Sequence, residues 1–251
     1  MFWLKKWRRN RIAAKKFPDN WLHILEKEVA IYTMLCNDDK EELKKHILIF
    51  LCEKEFEGCG GFTVTEREKI IIAANACILL LHRKTDYYPG LYSILVYPDA
   101  FVAPHKEYLP GGVVVEGHEI LSGESWHRGT VILSWQDIEF DMKNIYDGRN
   151  VIYHEFAHQI DTTAGFGDSS AVLKTNAGFI KWSRVLYKNY LQLKNSDEYS
   201  ILDEYGATNP AEFFAVSTEC FLEKPTEMKQ VHPELYMELM RFYNLDPSSF
   251  I

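Results

Sequence analysis

Residues 151–160 read Val-Ile-Tyr-His-Glu-Phe-Ala-His-Gln-Ile. His154 and His158 are four apart, and Val151, Ile152, Phe156, Ala157 and Ile160 supply an apolar side. On a helix this spacing puts both imidazoles on one face, where they can converge on one metal. Glu155 between them is placed to hold and deprotonate a water on that metal. The predicted helix, about 149–163, is the element around which a metal site would be organised.

Catalytic zinc takes three protein ligands and keeps one position open. An HExxHxxGxxH arrangement is excluded, because Asp161 stands at the glycine position and Ala164 at the final histidine. The later His232 precedes Pro233 at a helix start, so a carboxylate is the better third ligand. Glu212, in Asn209-Pro210-Ala211-Glu212-Phe213-Phe214, is the first candidate. It has a rival reading: Asn at the cap, Pro at the first position and Glu at the third is also a helix-start signature, so Glu212 can serve as a capping-box residue. Glu219, two turns along the same face, is either the next ligand candidate or a group that orients one. Asp161 has the same choice between orienting a ligand and lying in solvent. Tyr205, seven residues before Glu212, can donate to a developing oxyanion or simply pack.

Outward from this stretch the chain reads as helices, a small sheet, then helices: an α+β order. Trp21, Leu25, Val29, Tyr32 and Leu35 predict a helix over 20–36, and a second covers 39–52. Thr65 with Glu68 forms a capping box before a core helix at 66–83. Ser93–Tyr97, Gly112–Glu116 and Thr130–Trp135 are β-branched or aromatic runs bounded by Pro and Gly, and so read as strands. The last could present an open edge to an extended peptide. Helices return at about 176–194, 210–223 and 233–243.

Seven cations and no acid fall within residues 1–16; without them the chain holds 21 basic and 36 acidic residues, a net of −15. Residues 1–19 are therefore expected to be a loose, solvated basic tail with possible weak membrane-surface contact, and 20–251 a single domain. An acidic body argues against nucleic acid as the main partner. No apolar run reaches the ~18 residues of a bilayer span, and no signal peptide is visible. Five cysteines at irregular spacing, with no CxxC pair, point to a reducing, cytoplasmic setting.

The residues carry a resemblance. HEFAH, the block Tyr205–Pro225 (YGATNPAEFFAVSTECFLEKP), the upstream Gly123–Trp135 (GESWHRGTVILSW) and Leu245-Asp246-Pro247 are together similar to the Mlc titration factor A family of zinc peptidases, from about residue 20 onward. The resemblance implies a gluzincin-type zincin fold with a catalytic core similar to anthrax lethal factor. It implies one Zn²⁺ held by His154, His158 and Glu212, with Glu155 as general base and Tyr205 paired functionally with Glu212. It also implies aminopeptidase-like activity, and a histidine upstream of the zinc helix that can block the open site; His118 lies in that region, with a surface-loop histidine as the alternative reading. The family binds a glucose-responsive transcriptional repressor, Mlc. That leaves two readings: a zinc peptidase acting on peptides or proteins, or a module that sequesters a transcription regulator with latent peptidase activity.

Overall fold

The computed structural model describes residues 2–84, 86–99, 101–109, 113–121, 123–126, 129–163, 175–196 and 199–250, with backbone alone at 2, 101–109, 113–121, 123–126, 162–163 and 176. The helices are α1 (Phe2–Ala13), α2 (Asp19–Glu28), α3 (Ala30–Met34), α4 (Asn37–Glu53), α5 (Glu66–Ile78), α6 (Trp135–Lys143), α7 (Val151–Thr163), α8 (Asn176–Asn195), α9 (Pro210–Glu223), α10 (Pro225–Val231) and α11 (Pro233–Tyr243). The strands are β1 (Glu55–Gly58), β2 (Ser93–Tyr97), β3 (Phe101–Leu109), β4 (Val113–Leu121), β5 (Gly123–Trp126) and β6 (Thr130–Ser134). The order matches the α+β expectation.

One sheet runs β1-β2-β6-β5, with the first three strands parallel and β5 antiparallel to β6. β3 and β4 pair separately as an antiparallel hairpin, Phe101 opposite Leu121 and Leu109 opposite Val113. The strand 130–134 therefore lies between two partners and offers no open edge. That corrects the expectation of peptide pairing along Ile132–Trp135, because β2 and β5 already take its two rows of backbone groups. β5 is the outer strand on that side.

The expected helix 20–36 is two, α2 and α3, separated at Val29, whose φ of −115° and ψ of 89° are not helical. The break lets Leu25, Val29, Tyr32 and Leu35 all bury. The capping box forms at α5: Thr65 N–H donates to Glu68 Oε2 at 2.7 Å and Arg67 N–H to Thr65 Oγ1 at 3.3 Å. α5 is the central core helix expected, buried without interruption from Ile70 to Ile78, but it ends there in tight turns rather than at 83.

Residues 2–13 are not a loose tail. They form α1, held to α4 by Arg9, which grips Glu53 at 2.6 and 3.0 Å, and by Arg8, 2.6 Å from Glu53. Ile12 is buried beneath the helix. The partners lie 44 and 45 residues away in sequence, so a local reading could not find them.

The core places α7. Its inward residues Ile152, Tyr153, Phe156, Ala157 and Ile160 are buried, and Phe156 meets Tyr88 at 4.9 Å and Phe50 at 5.8 Å between ring centres. Tyr88 Oη in turn donates to Ala76 O of α5 at 2.6 Å. Burying this stripe leaves His154 and His158 on the opposite, open side of the helix.

The turn into β6 depends on Gly129, at φ +87°. A Cβ there would sit 2.6 Å from Tyr92 Cδ2 and 2.7 Å from Gly90 O, while Gly129 O accepts from Tyr92 N and Ser93 N. Gly129→Ala is expected to destabilise the fold by roughly 2–4 kcal/mol, strain and clash together. A denaturant midpoint equal to that of the unsubstituted chain would contradict this.

Candidate metal centre

Two helix N-termini build the site. At α7, Asn150 Oδ1 accepts from Tyr153 N at 3.1 Å and Asp141 Oδ2 from Val151 N at 2.8 Å. These acceptors satisfy amides that a helix start leaves open. At α9, Asn209 Oδ1 accepts from Ala211 N at 2.9 Å and Glu212 N at 3.1 Å, with Pro210 in the first turn. Asn209 thus caps α9 through its own side chain.

The Glu212 carboxylate is turned the other way. Its Oε2 lies 2.9 Å from His154 Nε2 and 3.2 Å from His158 Nε2, and the two Nε2 atoms are 3.2 Å apart. Three donor atoms from two helices thus form a triangle with edges of 2.9–3.2 Å. A tetrahedral zinc with donors near 2.0–2.1 Å sets its ligand atoms roughly 3.3 Å apart, so the triangle is close to the size such an ion requires. Two imidazoles and one carboxylate are also a recurring donor set for catalytic zinc. The residues fit the metal.

Glu219 touches the far side of His154: Nδ1 lies 2.7 Å from Oε1, while Oε2 accepts Asn150 N–H at 2.6 Å. A carboxylate on Nδ1 fixes the ring and leaves Nε2 directed at Glu212, the usual outer arrangement around a metal-binding histidine. Of the two sequence readings of Glu219, the structure places it as the orienting group.

Glu155 points into a different environment. It is 4% exposed, and among the described residues its Oε2 has no hydrogen-bond partner. Burial pushes its pKa up to about 7, the acids Glu212 and Glu219 adding to the rise and His154 and His158 opposing it. Burial works against charge on His154, but Glu212 and Glu219 outweigh it and hold the imidazole up to about 10. Burial would raise Glu212 as well, and the two histidines overcome that and hold it down to about 2.

Tyr205 sits in a short 3₁₀ turn, Glu204–Ala207, whose start is capped by Asp203 Oδ1 accepting from Tyr205 N at 2.8 Å. Its ring centre is 5.9 Å from that of His154, and the residue is half exposed. It stands beside the donor triangle, with one face open to solvent. Asp161 is exposed one turn beyond His158. His232 bonds Asn189 at 3.2 Å and belongs to the start of α11. His118 stands opposite Pro104 in the hairpin register, and its side chain lies outside the described residues.

Sequence reasoning missed Asp141, Asn150 and Glu223. Glu223 accepts from Asn150 Nδ2 at 3.1 Å and Gly148 N at 3.2 Å. A signal existed: Asn150 directly precedes the helix, where a cap is expected, and Glu223 is one turn after Glu219. Among the described residues a second group, Asp39, Glu42 and His82, also brings metal-capable atoms together. There His82 bridges Asp39 at 2.6 Å and Asn244 O at 3.1 Å, joining α4 to the end of α11.

Paired helical histidines, a carboxylate from a second helix and a buried glutamate beside them define a metallopeptidase arrangement. The comparison with known families agrees: the glucose-regulated metallo-peptidase M90 family matches residues 4–244, and the chain belongs to it. Mlc titration factor A of Cronobacter sakazakii is 29% identical over 248 residues, covering 96% of this chain and 91% of that protein. Mlc titration factor A of Escherichia fergusonii is 29% identical over 230 residues, 88% and 85% of the two chains. The Synechocystis protein slr2042 is 39% identical over 249 residues, 98% and 90%. Family membership implies a metal cofactor. No helix among the described residues is long and apolar enough to cross a membrane.

Proposed function

We propose that this chain is a zinc-dependent peptidase of aminopeptidase type, working in the cytoplasm, with residues 20–251 as the catalytic unit onto which α1 packs. His154, His158 and Glu212 would hold one Zn²⁺. The observation that carries this is the convergence of their three donor atoms at 2.9–3.2 Å beside the buried Glu155, whose Oε2 has no hydrogen-bond partner among the described residues. Zinc bound there supplies Lewis acidity and lowers the pKa of water toward neutrality.

The chain's own groups do the rest. Glu155 accepts the proton of the attacking water and returns it to the leaving amine; a carboxyl near pH 7 suits both transfers. Tyr205, open on one face, donates to the carbonyl oxygen as it gains charge. Glu219 keeps His154 in register. β5, the outer strand of the sheet and a neighbour of α7, is the edge along which an extended peptide would pair.

The test is hydrolysis of chromogenic amino-acid amides and a mixed peptide library by zinc-loaded and chelator-treated protein. Cleavage by the loaded form alone is expected, and the products report the specificity. No cleavage with one zinc bound per chain overturns the peptidase reading. Glu219→Gln is expected to weaken zinc affinity by about 10–100-fold, measured by competition with a chromophoric chelator. Unchanged affinity would remove Glu219 from the proposed centre.

A second reading rests on the name that several relatives share, Mlc titration factor A. In it the chain binds and sequesters an Mlc-like transcriptional repressor, and the peptidase is latent. Capture of such a repressor by Glu155→Gln as well as by the unsubstituted chain would separate binding from hydrolysis.

A further inference from the structure

We propose that the outward face of α1 docks on an anionic lipid bilayer. The helix is mounted rigidly. Lys5 reaches Asp86 at 2.7 Å, Arg9 lies between Glu53 and Asp86 with its guanidinium 4.7 Å over the Tyr87 ring, and Ile12 is buried. These residues define the inward side. Helical spacing puts Trp3, Leu4 and Trp7 on the opposite side, and they are 79%, 67% and 56% exposed. Two tryptophans and a leucine presented together to water are not covered by any of the described residues.

The charges around this patch select the partner. Lys6 and Arg11 are exposed around the apolar spot, and Arg11 lies 5.8 Å from the Trp7 ring. An apolar centre of Trp and Leu within a cationic rim is the pattern of helices that lie in a bilayer interface: indoles sit at the headgroup level and the cations meet anionic lipid. Residues 17–251 carry a net of −15, so an anionic surface repels them and favours approach by this pole. The face is a convex helical ridge, which suits a planar surface. Because α1 is already folded and ion-paired, docking incurs little ordering cost. This inference is independent of the proposed zinc chemistry.

The test is co-sedimentation of the full chain with phosphatidylcholine vesicles containing 30% phosphatidylglycerol, beside pure phosphatidylcholine, at low and high salt. We expect at least ~10-fold tighter binding to the anionic vesicles, lost at high salt. Trp3→Ser/Trp7→Ser should weaken it about 10-fold or more, as should Lys6→Glu/Arg11→Glu, with thermal melts unchanged to show that α1 stays in place. No preference for anionic vesicles overturns the proposal. So does full binding by the double serine variant, which would indicate charge adsorption alone. Retention of an acidic protein by this face without any vesicle binding also overturns it, in favour of a protein partner.

Discussion

Glu155→Gln is expected to lower turnover by about 10²–10⁴-fold while leaving the metal in place, the range by which a positioned general base accelerates proton transfer. Glutamine has nearly the same shape and cannot take a proton. Glu155 makes no bond to the donor triangle: the three donor atoms are held by Glu219, Asn209 and the helix starts instead. The substitution therefore separates chemistry from metal binding. Fold stability should not suffer, because among the described residues the buried Glu155 has one oxygen without a partner, and burial already disfavours its charged form. The measurement is kcat/KM on the best amide substrate together with zinc content. Wild-type turnover with full zinc would remove Glu155 from the mechanism.

Glu212→Ala has the larger effect on the metal. It removes the only carboxylate of the donor triangle and the group that both imidazoles face. Zinc affinity should fall by more than the roughly 10–100-fold assigned to an outer partner such as Glu219, and peptidase activity with it. The metal-free protein offers an independent check. The histidines hold the folded Glu212 pKa at about 2, below its ordinary 4.5. A depressed carboxylate contributes stability that is fully present above pH 4.5 and is lost as pH falls toward 2. Metal-free Glu212→Ala should thus be less stable than the unsubstituted chain at pH 6, and the gap should narrow below pH 4.5. A gap that is constant from pH 6 to pH 3 would mean that the side chain matters for packing and not for its charge.

The legible parts of this protein were those with short sequence range. The i, i+4 histidines declare their helix, and Asn209-Pro210 declares the start of α9. Which way Glu212 turns was not decidable from that signature, since a cap and a ligand ask for the same residue types at the same position. The structure shows Asn209 meeting the helix amides with its own side chain, so Glu212 is available to the histidines. β1, β3 and β5 escaped notice for different reasons. β1 is four residues long with two glutamates and a glycine, and only Phe56 is partly buried, so it carries no alternation to read. β3 and β5 contain Pro104 and Gly123, residues taken as boundaries. Strand order was hidden because pairing joins Ser93 to Thr130 across 37 residues. α1 was misjudged because its anchors, Glu53 and Asp86, are distant acids, and a count of cations cannot show that three of them are already engaged.

The belt of acceptors that ties α7 to α9 has a thermodynamic consequence. Glu219 and Glu223 reach from α9 to Gly148 and Asn150 at the entry of α7, and Glu219 also to His154 within it, so the two helices carrying the metal-facing groups cannot separate without uncovering buried carboxylates. Opening the site therefore amounts to opening the domain. Any ion retained there should act as a ligand of the whole native state, raising the melting temperature in proportion to the logarithm of its free concentration. In hydrogen exchange, the amides of α7 and α9 should then slow together by one common factor.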